Sequence, residues 1–174
     1  MGLHFSVEEF KSRKDKIIKL LKEEKLDALL MFRQESMYWL TVYDTFGYVF
    51  FQTLVMDQKG NIILLTRAPD LRQAQNTSNI SDIRIWVDKN GSNPTEDLKV
   101  ILDELNLKGK KIGIEYEAYG LTGRNALRLN KSWENYCSIE DASELVTKLR
   151  VIKSNEEIDY VKKAANLADK ALTE

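Results

Sequence analysis

Short apolar runs separated by stretches of helical periodicity recur along this chain, and that alternation constrains the fold more than any other feature. The run LDALLMF (26–32) is too short for a helix of its own and apolar at almost every position, which reads as a strand buried on both faces. It follows a helix opened by Phe5-Ser6-Val7-Glu8-Glu9-Phe10. Ser6 and Glu9 are spaced as a capping box, and Phe5 and Phe10 occupy the staple positions. The helix continues to about Lys25, with Val7, Phe10, Ile17, Ile18 and Leu21 on one side. The Lys/Arg-rich remainder, with Glu9–Arg13 and Asp15–Lys19 at i,i+4, reads as a solvated back.

The pattern then repeats. A short helix is expected at Gln34–Thr41, a strand at Val49–Met56, a turn at 57–61 with Gly60 in positive φ, and a returning strand at Ile62–Thr66. Further helices are expected at Pro69–Gln75, from Pro94, at Thr122–Asn130 and at Ala142–Leu149. Further strands are expected at Asp82–Val87, Lys111–Glu115 and Trp133–Ile139. Alternation of this kind predicts an α/β fold, a three-layer mixed β-sheet flanked by helices on both faces. The hairpin around Gly60 makes the sheet mixed rather than wholly parallel.

The last thirty residues, LVTKLRVIKSNEEIDYVKKAANLADKALTE, differ from the rest. Ser154 and Glu157 form a second capping box, and Ile158, Val161, Ala165, Ala168 and Leu172 make an apolar stripe. No Gly or Pro stops this helix. It is expected to be the start of a further domain, so the chain divides into 1–149, an α/β domain, and 150–174, a linker with the first helix of a truncated catalytic domain.

Among 174 residues, 43% are hydrophobic and 30% charged, values of a globular chain with a real core. A net charge of −1 offers no field for nucleic acid or anionic lipid. The single Cys137 excludes an internal disulfide framework and suits a reducing compartment. No signal peptide is visible in MGLHFSVEEF, and no apolar run reaches the ~20 residues of a membrane helix. The expectation is a soluble cytoplasmic protein that engages neither nucleic acid nor membrane.

Chemistry is sparse. His4 is the only histidine, so the material for a soft-metal site or a Ser-His-Asp arrangement is thin. Asp44, Asp57, Asp82, Asp88 and Glu115 could hold Mg²⁺, but most lie in turns where an acid ordinarily caps or is solvated. Neither a P-loop nor a GxGxxG after a strand is present. Cys137 reads as a small core residue within a strand rather than a nucleophile. No catalytic residue and no metal ligand is expected in this chain. The aromatic passage Tyr38–Phe51 stands apart: Tyr43, Phe46 and Tyr48 surround Gly47 in an expected loop, where exposed rings often bind a partner. Core packing is the favoured reading of these rings taken together.

Several segments resemble the N-terminal domain of the creatinase/aminopeptidase P/prolidase family, the "pita-bread" metallopeptidases. These are FSVEEFKSRKDKIIKLLKEEKLDALLMF, QESMYWLTVYDTFGYVFFQTLV, NIILLTRAPDLRQA, DIRIWVD, KKIGIEYEAYGLT and the junction LRVIKSNEEI. The resemblance covers the whole chain and is strongest to bacterial Xaa-Pro dipeptidase-like or ectoine-hydrolase-like members. It implies a ribonuclease H-like motif and a downstream catalytic domain with a divalent metal pair (Mn, Co or Zn). It also implies a homodimer in which this domain walls the active site for a small peptide or amide substrate. In that parent dimer Tyr43, Phe46 and Tyr48 would be substrate-contact candidates. Val42 stands where relatives commonly carry Gly, and a β-branched residue disfavours positive φ, so the loop is expected to follow a different path. The alternative is a free-standing ligand-binding or protein-interaction module using the aromatic loop 43–51. A nuclease, on fold analogy alone, would need converging carboxylates.

Overall fold

The central strand β1 (Ala28–Met31) is buried at every position, with helices on both sides of it. The computed structural model describes residues 4–47 and 49–173. In chain order, α1 (Val7–Glu23), β1 and α2 (Gln34–Thr41) are followed by β2 (Thr53–Asp57) and β3 (Ile62–Arg67). A single 3-10 turn at Ala68–Asp70 leads into α3 (Leu71–Thr77), β4 (Asp82–Trp86) and α4 (Pro94–Glu104). Next come β5 (Lys111–Ile114), α5 (Gly123–Ser132), β6 (Ser138–Asp141), α6 (Leu145–Val151) and α7 (Asn155–Thr173).

Six strands form one sheet in the order β4-β3-β2-β1-β5-β6. The β1–β2 and β2–β3 pairs are antiparallel; β1–β5, β5–β6 and β3–β4 are parallel. The expected mixed sheet is therefore present. Period-2 alternation sorts its side chains into two cores. Ala28, Leu30, Val55, Ile63 and Leu65 face α4 and α5, packing with Leu98, Ile101, Leu129 and Trp133. Leu29, Met31, Leu54, Met56 and Leu64 face the other way, against Ile17 and Leu21 of α1, Met37 and Leu40 of α2, and Val146 of α6.

Local signals agree with this architecture. The Ser6 hydroxyl accepts from the Glu9 amide, and Phe5 and Phe10 meet edge to face at 6.1 Å. Asn93 caps α4 with Pro94 in its first turn, and Thr122 caps α5. Gly60 has φ +86° in the β2–β3 turn, whose amides are gathered by the Asp57 carboxylate.

Three expectations are corrected. The strand expected at Val49–Met56 begins only at Thr53, and Val49 and Phe50 lie exposed in a turn before it. The strand expected from Trp133 is β6, which starts at Ser138. Trp133 instead ends α5 and is buried in the core, with Tyr136 three residues on and Asn135 left-handed between them. The apolar residues at 133 and 136 thus belong to the turn that closes α5, which the expected alternation of a strand misread. Cys137 accordingly lies just ahead of the strand, half-buried. Arg13, placed on the solvated back of α1, is buried, as described below.

Candidate functional site

The N-terminus of α2 is fixed by Glu115, which follows the last residue of β5. Its Oε2 accepts from the amides of Phe32 and Arg33 at 3.0 and 2.9 Å, and its Oε1 accepts from the Ser36 hydroxyl at 2.6 Å. A buried carboxylate thus does the capping that Arg33, at the N-cap position, does not. Burial pushes this carboxyl up to about 7, against the pull of its donors and of the nearby Arg33 guanidinium. Arg33 reaches across to the carbonyls of Glu117 and Ser143 and to the Thr147 hydroxyl, tying α2 to α6.

Held this way, α2 delivers the aromatic loop. Val42 ends the helix in the left-handed region, φ 58° and ψ 15°, its amide bonded to the Tyr38 carbonyl. Although a β-branched residue disfavours positive φ, Val42 takes it. Its side chain is buried, 3% exposed, and packing offsets the backbone cost.

Tyr43 turns inward. Its ring is fully buried, its hydroxyl donates to Gln52 Oε1 at 3.0 Å, and burial raises its pKa. Thr45 and Thr66 also bond Gln52, so the loop is tied to β2 and β3 by a closed polar network. Phe46 turns outward, 88% exposed. Tyr48 lies outside the described residues. Phe50, partly exposed, is covered on one face by the Arg67 guanidinium at 3.3 Å, and Arg67 is paired with Asp70. Of the two described candidates, one ring is core and one projects to solvent.

A cleft of about 410 Å³ opens beside the loop. Its walls come from α2 (Gln34, Glu35, Tyr38, Trp39), from Tyr43, Asp44 and Thr45, and from Arg150, Lys153 and Glu157. Arg13 and Phe5 close one side. Arg13 is only 1% exposed and is the hub of this region. Its guanidinium donates to Glu9 at 2.8 Å, to the Trp39 carbonyl at 2.6 Å and to Glu157 at 3.1 Å, with the Phe5 ring 4.1 Å away. Helical spacing does carry a signal for this role, which the count of charges on α1 hides: Arg13 sits among Phe10, Ile17 and Leu21 on the buried face of α1.

The acids considered as metal ligands are dispersed. Asp57 holds its turn, Asp82 pairs with Arg84, Asp88 approaches Arg67, and Glu115 caps α2. Among the described residues, no three His, Cys, Asp or Glu side chains converge as a cation site. These described residues do not fit a metal pair. The Cys137 thiol is pushed up to about 11 by burial, which disfavours the thiolate. His4 shares a 2.7 Å hydrogen bond with the Tyr38 hydroxyl at the surface. What the arrangement offers is an aromatic loop anchored through Tyr43 and Thr45 to Gln52, an adjacent cleft and a helix that is exposed beyond its first turns. None of α7 is buried, and among the described residues no helix is long and apolar enough to cross a membrane.

Residues 13–152 match the creatinase/prolidase N-terminal domain family, and the chain belongs to that family. It is similar to an uncharacterised hydrolase/peptidase of Sinorhizobium fredii, 27% identical across 98% of this chain and 45% of that protein. Among solved structures it resembles a dipeptidase of Pyrococcus horikoshii (TM-score 0.75, 25% identity, 92% of this chain and 42% of the other). It also resembles a prolidase of Thermococcus sibiricus (TM-score 0.77, 20% identity, 94% and 43%) and an aminopeptidase P of Streptococcus thermophilus (TM-score 0.62, 20% identity, 81% and 98%). The chain thus spans less than half the length of the Sinorhizobium protein and of the Pyrococcus dipeptidase.

Proposed function

We propose that this chain is the non-catalytic N-terminal domain of a metal-dependent Xaa-Pro dipeptidase- or aminopeptidase-like hydrolase. It would contribute to dimer assembly and wall the active site of the parent enzyme. The observation that carries this reading is the family match over residues 13–152, joined to a span of only 42–45% of relatives described as dipeptidase or hydrolase/peptidase. Residues 1–149 form the N-terminal domain in this reading, and 150–174 lead into a catalytic domain that supplies the divalent metal pair. The stripe of α7, with Ile158, Val161 and Leu172 exposed, is then the face that domain covers. Of the aromatic candidates, Phe46 is the ring offered to a neighbouring subunit or substrate, and buried Tyr43 braces the loop beneath it. The setting is cytoplasmic, in keeping with a lone thiol and no disulfide.

The test is a pair of assays on an Xaa-Pro dipeptide with added Mn²⁺. The 174-residue chain is expected to be inert, and the protein read on from the same open reading frame active. Hydrolysis by the chain alone would overturn the non-catalytic role. A stop codon directly after Glu174 would instead favour a free-standing interaction module, for which exposed Phe46 is the one supporting observation.

A further inference from the structure

The attachment of α7 to the body has a chemistry of its own, independent of the function proposed above. Glu157 is the reciprocal arm of the capping box: its Oε2 accepts from the Ser154 amide at 2.8 Å, while the Ser154 hydroxyl accepts from the Glu157 amide at 3.2 Å. The other oxygen of the same carboxylate, Oε1, accepts from Arg13 Nη2 at 3.1 Å and from the Trp39 indole at 2.9 Å. One side chain therefore closes the first turn of α7 and docks that turn on α1 and α2.

Neighbouring contacts follow the same plan. Glu156 takes the backbone amide of Ser6, at 3.0 Å, the position Glu9 would fill in the first capping box. Glu9 is free to do otherwise because it holds Arg13. The Tyr160 hydroxyl donates to the His4 carbonyl, and its ring lies 5.2 Å from Phe5. All of these contacts fall within the first turns, 154–160. Beyond them the helix lies exposed.

We infer that Arg13, Trp39 and Glu157 form a latch that makes the folding of the α7 N-terminus conditional on its docking, and so sets the direction in which the chain leaves the body. A buried guanidinium with three acceptors on three elements has one geometry that satisfies it, so the latch is directional rather than merely adhesive. Because Glu157, Arg13 and Trp39 also line the cleft, releasing the latch opens its wall. Arg13 and Trp39 act here as positioning residues.

Amide exchange on the 174-residue chain tests the coupling, read separately for residues 154–160 and for β1 and β5. Trp39→Phe keeps an aromatic ring but removes the indole donor and part of the buried bicycle, more than a hundred residues away in sequence from the helix it serves, so β1 and β5 serve as the control for lost packing. The latch predicts that exchange at 154–160 accelerates severalfold in W39F and about tenfold or more in E157A, with β1 and β5 unchanged. Glu157→Gln, which retains a capping oxygen but not the charge, should fall between them. If W39F leaves 154–160 at the wild-type rate while E157A accelerates it, the cap is local and the coupling is refuted. Equal acceleration in β1 and β5 would also overturn it, because the residues would then support the whole body rather than the helix.

Discussion

Replacing Glu115 tests the account of how the α2 end of the cleft is held. The carboxylate is fully buried and takes two backbone amides and one hydroxyl. Glu115→Ala orphans the buried amide of Phe32, at ~1–3 kcal/mol, and the part-buried amide of Arg33, at the lower end of that range. The residual cavity adds to this, and relief of charge desolvation subtracts, leaving an expected loss of about 2–5 kcal/mol. Glu115→Gln keeps an oxygen for both amides and turns its amide group to the Ser36 oxygen, so its loss at pH 5 should be small.

The pH dependence separates the two protonation states. Burial raises the folded carboxyl to about 7 from an ordinary 4.5. The native state therefore holds the proton more tightly than the unfolded chain. Its contribution is fully present below pH 4.5 and is lost as pH rises through about 7. At ~1.4 kcal/mol per pH unit across that window, the ceiling is about 3 kcal/mol. Urea denaturation at pH 5, 6, 7 and 8, followed by tryptophan fluorescence, should show the wild type losing stability relative to E115Q as pH rises. Parallel curves for the two proteins from pH 5 to 8 would refute the reasoning, since ionisation of Glu115 would then be uncoupled from folding.

Val42 should reverse the usual ranking of alanine over glycine. Both substitutions lose the buried side chain, but only alanine retains the left-handed backbone cost of ~1 kcal/mol, so Val42→Ala should melt below Val42→Gly in calorimetry. A Cβ at Gly113 would come within 2.8 Å of Ala142 Cβ and 2.9 Å of Leu26 Cδ1. Gly113→Ala should therefore cost about 1–3 kcal/mol of overpacking, measured by urea denaturation, although β5 otherwise favours a side chain.

The layered α/β fold was legible because hydrophobic period and capping are local signals. The run at 26–32 announced a buried strand and 62–66 its neighbour's hairpin return, and Ser6, Thr122 and Ser154 announced helix starts that the structure contains. Trp133 and Tyr136 misled because an apolar residue every third position resembles broken alternation in a short window. Within the site, the loop was found by its aromatic content, but its inside and outside were not. Tyr43 and Phe46 are alike in type, and only the Gln52 network distinguishes the core ring from the exposed one.

The sequence by itself determined the layered α/β class, the caps of α1, α5 and α7, the mixed sheet and the likeness to a family. Those properties depend on neighbours a few residues apart. Tertiary structure alone decided that Arg13 is buried, that Glu115 caps a helix eighty residues before it, and that Glu157 serves a distant helix pair as well as its own turn. A charged group's fate depends on which partners the fold brings within 3 Å, and those partners lie too far along the chain for any local pattern to record.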